Sequence, residues 1–138
     1  MFLKNTWYVA ATAAEVQDKP LGRKICGESM VLYRGEAGKV AALEDFCPHR
    51  GAPLSLGRVC NGNLVCGYHG LEMGCEGKTV AMPGQRVRGF PAIRAFASVE
   101  RYGFIWVWPG DIALADESAL PKFEFFNNPA WAYGGGLY

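Results

Sequence analysis

The chain has 138 residues, 50% hydrophobic and 13% aromatic, enough for one packed domain and too little for two of ordinary size. Fourteen Lys and Arg against 13 Asp and Glu leave a formal charge of +1, so there is no basic field to hold nucleic acid. Eighteen Gly and eight Pro spread along the chain point to many tight turns between short strands, and no run approaches the roughly 18 apolar residues of a membrane span.

The first residues carry one Lys and no long apolar run ahead of a small-residue cleavage site. No secretory signal is read, and a cytoplasmic protein is expected. Thr12 followed by Glu15 predicts a capping box that opens a short helical turn through about Lys19, stopped by Pro20. Strand-like runs at 29–34 and 39–46 flank Gly35-Glu36-Ala37-Gly38, a hairpin signal. A second hairpin joins 58–60 to 64–66 through Asn61-Gly62-Asn63, and a third sets 71–73 and 78–81 around Gly74-Cys75-Glu76-Gly77. Residues 93–99 pair with 104–108, and the second of these, Phe104-Ile105-Trp106-Val107-Trp108, is expected to be buried on both faces. A short helix is expected over 114–120, before Pro121. Strand signals separated by Gly or Asn turns define a mainly β fold, an antiparallel sandwich or barrel. Residues 127–138 hold large rings and a Gly run without strand or helix period, and are expected to lead out of a domain covering 1–126.

Five Cys in a reducing compartment argue against a disulfide framework, and the odd number reinforces this. The informative feature is Cys47-Pro48-His49 followed, beyond residues 50–65, by Cys66-Gly67-Tyr68-His69. Each pair lies in a turn between strands and offers one thiolate and one imidazole. A zinc finger usually pairs Cys with Cys and His with His along the chain. A [2Fe–2S] cluster of mixed ligation needs two thiolates on one iron and two imidazoles on the other, so each loop has to supply one of each. On spacing alone a single structural Zn²⁺ stays open, as does a chance placement in a satisfied core. The flanks favour the cluster: Gly51, Gly67 and Gly70 let backbone N–H groups approach bridging sulfides, and Pro48 stiffens the first loop. Cys26, Cys60 and Cys75 are read as bystanders.

These residues resemble the Rieske non-haem iron oxygenases. The likeness covers nearly the whole chain: the stretch from Cys47-Pro48-His49-Arg50-Gly51-Ala52-Pro53-Leu54-Ser55, the stretch Cys66-Gly67-Tyr68-His69-Gly70-Leu71-Glu72-Met73-Gly74-Cys75-Glu76-Gly77-Lys78, and beyond them Met82-Pro83-Gly84-Gln85-Arg86, Glu100-Arg101-Tyr102-Gly103, the 104–110 strand and the closing Trp131-Ala132-Tyr133-Gly134-Gly135-Gly136-Leu137-Tyr138. The resemblance implies a Rieske-type β-sandwich with a cluster-binding subdomain of two hairpin loops. It places Cys47 and Cys66 on one iron and His49 and His69 on the other. It implies an aromatic O-demethylating monooxygenase, of the kind that turns vanillate into protocatechuate plus formaldehyde. The alternatives are a related oxygenase acting on another aryl ether or aryl sulfonate, a free-standing Rieske ferredoxin, or a zinc-stabilised binding module without a redox role.

High-potential Rieske proteins tie their loops with a disulfide, at positions that are Ala52 and Tyr68 here, and place a Ser donor where this chain has Leu71. With fewer donors to the cluster, a potential near the low end of the Rieske range, about −150 mV, is expected. In the family a mononuclear Fe(II) held by two His and a carboxylate activates O₂. The chain has only two His, both assigned to the cluster, so that second site has to lie in a catalytic domain outside these residues. No spaced-Gly nicotinamide or flavin fingerprint is present, and the resemblance implies a separate NAD(P)H-dependent flavin and iron–sulfur reductase and a homotrimer. Arg50 and Arg58 are candidates for docking an acidic reductase, against the commoner case of solvated surface Arg; Arg86, Arg88, Arg94 and Arg101 are ambiguous in the same way, and Trp106 and Trp108 are assigned to the core.

Overall fold

A computed structural model of the chain describes all residues except Arg88, Tyr133 and 135–138. Among the described residues ten strands form two sheets: β1 (Tyr8–Thr12), β2 (Leu21–Ile25), β3 (Glu28–Arg34), β4 (Val40–Glu44), β5 (Arg58–Cys60), β6 (Asn63–Val65), β7 (Glu72–Met73), β8 (Thr79–Ala81), β9 (Ala95–Arg101) and β10 (Phe104–Trp108). The larger sheet has six strands in the order β1-β10-β9-β4-β3-β2, and the smaller has four in the order β5-β6-β7-β8. Every pairing is antiparallel.

The alternation of side chains explains where the core sits. Successive residues of a strand point to opposite faces. In β3, Met30 and Leu32 enter one cluster while Val31 and Tyr33 enter another, and β4 divides Val40 and Ala42 from Ala41 and Leu43 in the same way. The first cluster also takes Ala10 and Ala11 of β1, Phe96 of β9, and Ile105 and Val107 of β10. One sheet therefore closes a core between its own two ends, which makes it the sandwich. On the other face, Val31, Tyr33, Ala41 and Leu43 pack against Leu64, Leu71 and Met73 of the small sheet and its loops. Trp106 and Trp108 turn away from Ile105 and Val107 into a third cluster with Trp7 and Leu120. The strand read as buried on both faces is so buried from Ile105 to Trp108.

All four hairpins expected from the sequence are present, with small shifts. Cys60 faces Asn63, so the second turn is the two residues Asn61-Gly62 and not three. Both have positive φ, +50° and +77°, the mirror-image turn that fits a right-twisted hairpin. The pair expected at 93–99 begins its strand at Ala95, because Ile93 N–H is already bonded to Gly77 O at 2.9 Å.

Two helical expectations are corrected. The Thr12 turn lasts one 3-10 turn, Ala13–Glu15, and does not reach Lys19. Glu15 accepts from Thr12 N–H at 2.7 Å as the capping box requires, but Arg34 takes the Ala13 and Val16 carbonyls at 3.0 and 2.7 Å, removing acceptors a longer helix needs. No continuous helix spans 114–120. Asp111 and Asp116 each accept from the N–H two residues on, at 3.0 and 2.9 Å, and the segment splits into the separate turns Ile112–Leu114 and Glu117–Ala119. Of the closing segment, Trp131 is exposed with its ring 6.2 Å from Phe125, while Tyr133 and 135–138 lie outside the described residues. No helix among the described residues is long and apolar enough to cross a membrane.

Candidate metal centre

The first loop leaves β4 and carries Cys47 and His49; the second joins β6 to β7 and carries Cys66 and His69. Their backbones are bonded alike. Cys47 N–H donates to Ala52 O at 2.9 Å and Gly51 N–H donates back to Cys47 O at 2.8 Å. In the second loop Cys66 N–H donates to Leu71 O at 2.8 Å and Gly70 N–H to Cys66 O at 3.0 Å. Gly51 and Gly70 occupy matching positions with φ of +75° and +77°, a left-handed conformation that a side chain would oppose. The unequal spacings Cys-x-His and Cys-x-x-His thus hang on one backbone design.

Thiols lie inside and rings outside. Cys47 and Cys66 are 2% and 1% exposed and share the core with Leu54, Leu64, Leu71 and Met73. Burial pushes the Cys47 thiol up, and the neighbouring Cys66 adds to this, against backbone N–H groups of His49 and Arg50 that favour the thiolate. Two buried thiolates side by side are unfavourable without a cation between them. His49 is half-buried and His69 exposed, and their Nδ1 atoms face each other at 3.0 Å. Desolvation, then His49, then Arg50 hold the His69 ring below the usual imidazole range. Facing nitrogens either share one proton or turn both lone pairs onto a common ion.

The donor set fits a two-iron cluster. A tetrahedral zinc needs its donors around one point, whereas a mixed-ligand [2Fe–2S] cluster takes a thiolate pair at one end and an imidazole pair at the other. Among the described residues no three His, Cys, Asp or Glu are grouped to hold a single ion, and these four side chains come as two pairs.

Aromatic rings frame the imidazoles, which spacing did not reveal. The Tyr68 ring lies over His69 with centroids 3.9 Å apart, and Phe90 meets His49 edge-on at 5.7 Å. Phe46 backs the first loop: a Cβ on Gly51 would come within 3.0 Å of its ring. Arg50, Arg58 and Arg86 are exposed, and Arg88 lies outside the described residues. Arg94 serves the fold, its Nη2 donating to the Pro109 and Gly110 carbonyls at 2.7 Å each, and Arg101 pairs with Glu117 at 3.3 Å. Cys60 and Cys75 are exposed free thiols, and Cys26 is a half-buried one at φ +52°.

Residues 6–97 match the family model of the Rieske [2Fe-2S] domain, and the chain belongs to that family. It is similar over its whole length, at 70% identity, to a vanillate O-demethylase oxygenase subunit of Pseudomonas sp. (strain HR199 / DSM 7063). It is 50% identical over 98% of its length to the oxygenase component of dicamba O-demethylase from Stenotrophomonas maltophilia. The crystal structure of dicamba monooxygenase bound to dicamba superposes with a TM-score of 0.86 at 50% identity, covering 94% of this chain and 39% of that one. The chain spans 39% and 40% of the two curated relatives, about two fifths of their length. The all-antiparallel β architecture with two cluster loops is thus that of the Rieske part of oxygenase components. A Rieske domain implies the [2Fe–2S] cluster.

Proposed function

We propose that Cys47 and Cys66 hold one iron of the cluster and His49 and His69 the other, and that the chain is the electron-carrying part of an aromatic O-demethylating monooxygenase. The observation that carries this is the pairing itself: two buried thiols and two facing imidazoles on loops of one backbone design. When bound, the cluster supplies one-electron transfer. The residues of the chain do the rest. Leu54, Leu64, Leu71 and Met73 keep water from the thiolate end, and the surface position of His49 and His69 sets the imidazole end against a partner.

Similarity to a vanillate O-demethylase oxygenase subunit supports vanillate, giving protocatechuate and formaldehyde, over other aryl ethers or sulfonates, and supports an oxygenase over a free-standing ferredoxin. In this reading 1–126 is the Rieske domain and 127–138 opens the linker to a catalytic domain holding a mononuclear Fe(II), the whole working in the cytoplasm as a homotrimer. An NAD(P)H-dependent flavin and iron–sulfur reductase supplies the electrons. Iron, zinc and acid-labile sulfide analysis of the purified protein tests the assignment. About two irons and two sulfides per chain are expected; one zinc and no sulfide would overturn it. Formaldehyde release from vanillate by the full-length oxygenase with its reductase tests the substrate, and its absence with a loaded cluster would reject vanillate.

A further inference from the structure

The two cluster loops differ in how their ends are closed. The second is closed by strand pairing, Val65 opposite Glu72 and Leu64 opposite Met73. The first leaves β4 and enters β5, but β5 pairs only with β6, and β4 with β3 and β9. In place of a ladder stand Asp45 and Ser55, ten positions apart: Ser55 N–H donates to Asp45 Oδ1 at 2.7 Å and the Ser55 hydroxyl donates to Oδ2 at 2.6 Å. Both carboxylate oxygens are thereby engaged with one residue, in short charge-assisted bonds. The clasp is anchored and covered. Asp45 N–H donates to Ser29 O of β3 at 3.0 Å. Gly22 of β2 lies against it, where a Cβ would come within 3.0 Å of Ser55 Oγ and 3.4 Å of Asp45 Oδ2.

We propose that Asp45 is a positioning residue for the cluster: its carboxylate, by clasping Ser55, holds the first loop at the place where Cys47 and His49 meet Cys66 and His69. The inference rests on the ligand assignment proposed above. The inner ring of Cys47 N–H to Ala52 O and Gly51 N–H to Cys47 O does not include Asp45 or Ser55. Loss of the clasp therefore leaves Cys47 and His49 fixed to each other but lets the pair shift against the second loop. The cluster then becomes labile and heterogeneous while the sandwich stays folded.

Asp45→Ala, Asp45→Asn and Ser55→Ala in the cluster-loaded protein separate these effects. Iron release to a ferrous chelator is expected to quicken about tenfold in Asp45→Ala and about threefold in Ser55→Ala, which loses one of the two bonds. The paramagnetic spectrum of the reduced cluster should broaden, while thermal unfolding followed by tryptophan fluorescence, to which the buried Trp7, Trp106 and Trp108 contribute from a cluster that includes neither loop, moves little. Asp45→Asn keeps an acceptor for Ser55 N–H and should restore release to within about twofold of wild type. Wild-type release and line shape in Asp45→Ala and Ser55→Ala would overturn the clasp, as would an Asp45→Asn no better than Asp45→Ala. If Asp45→Ala fails to fold, Ser55→Ala decides. A wild-type protein that holds no cluster would instead overturn the ligand assignment.

Discussion

His49 and His69, twenty positions apart in the chain, face each other through Nδ1 at 3.0 Å. Each ring has an aromatic neighbour, Phe90 edge-on to His49 and Tyr68 against His69, which limits how far either imidazole can turn. Such preorganisation fits imidazole ligands, whose orientation otherwise has to be fixed on binding.

Exchanging one imidazole for a thiolate should change the potential and not merely the yield. In His69→Cys protein that assembles a cluster, the midpoint should fall toward the roughly −400 mV of all-thiolate clusters of this type. A redox titration followed by visible circular dichroism reads it. An unchanged potential would show that His69 is not a ligand.

Leu71 is fully buried beside Cys66, at the position where high-potential Rieske proteins place a hydroxyl donor. The wild-type midpoint should lie near about −150 mV, and Leu71→Ser should raise it by adding a donor. The same change removes core packing and buries a hydroxyl, so urea denaturation should show a loss of about 3 kcal/mol. A wild-type midpoint above roughly +100 mV would contradict the link between few donors and low potential.

Glu15 carries a pH signature in the sandwich. The Thr12 backbone N–H, with smaller help from the Thr12 hydroxyl and Arg23, holds its carboxyl below the usual carboxylate range despite desolvation. A depressed folded-state pKa means that the ionised group stabilises the fold. That contribution is complete above the ordinary Glu value near about 4.3 and is lost as pH falls through the lower folded value. Glu15→Gln should therefore cost about 1 kcal/mol at pH 7, the size of a cap, and the gap should close in acid. Denaturation curves at both pH values check this. A gap that persists in acid would exclude the carboxylate as its source.

Gly77 ends the turn between β7 and β8 at φ +81°, and a Cβ there would run into the Ile93 carbonyl. Gly77→Ala combines an unfavourable backbone region with a clash and should destabilise by about 2 kcal/mol or more, measured by urea denaturation. Wild-type stability would mean that the 82–93 segment, which carries Phe90 against His49, adjusts freely.

Much of this was legible in the sequence, for local reasons. Asn61-Gly62 and Gly35-Glu36-Ala37-Gly38 mark hairpins because few residues accept positive φ, and the two Cys and two His stand out because few chemistries use them in that alternation. What escaped depended on tertiary partners. β1 has a bulge between Val9 and Ala11 that leaves Ala10 and Ala11 both buried, which breaks the period of two. β2, Leu-Gly-Arg-Lys-Ile, is a polar edge strand with a Gly inside, so its sequence carries no strand signal. The helix expected at 114–120 failed because Asp111 and Asp116 satisfy backbone N–H groups locally. Asp45 and Ser55 have no signature spacing; only their meeting in space, beneath Gly22, marks them.

Electron–nuclear double resonance on protein labelled with ¹⁵N-histidine and reduced with dithionite tests the ligand assignment most directly. The account predicts two strongly coupled histidine nitrogens on a reduced [2Fe–2S] cluster, both lost only when His49 and His69 are both replaced. A paramagnetic cluster without histidine coupling, or a diamagnetic sample carrying one zinc, would contradict it.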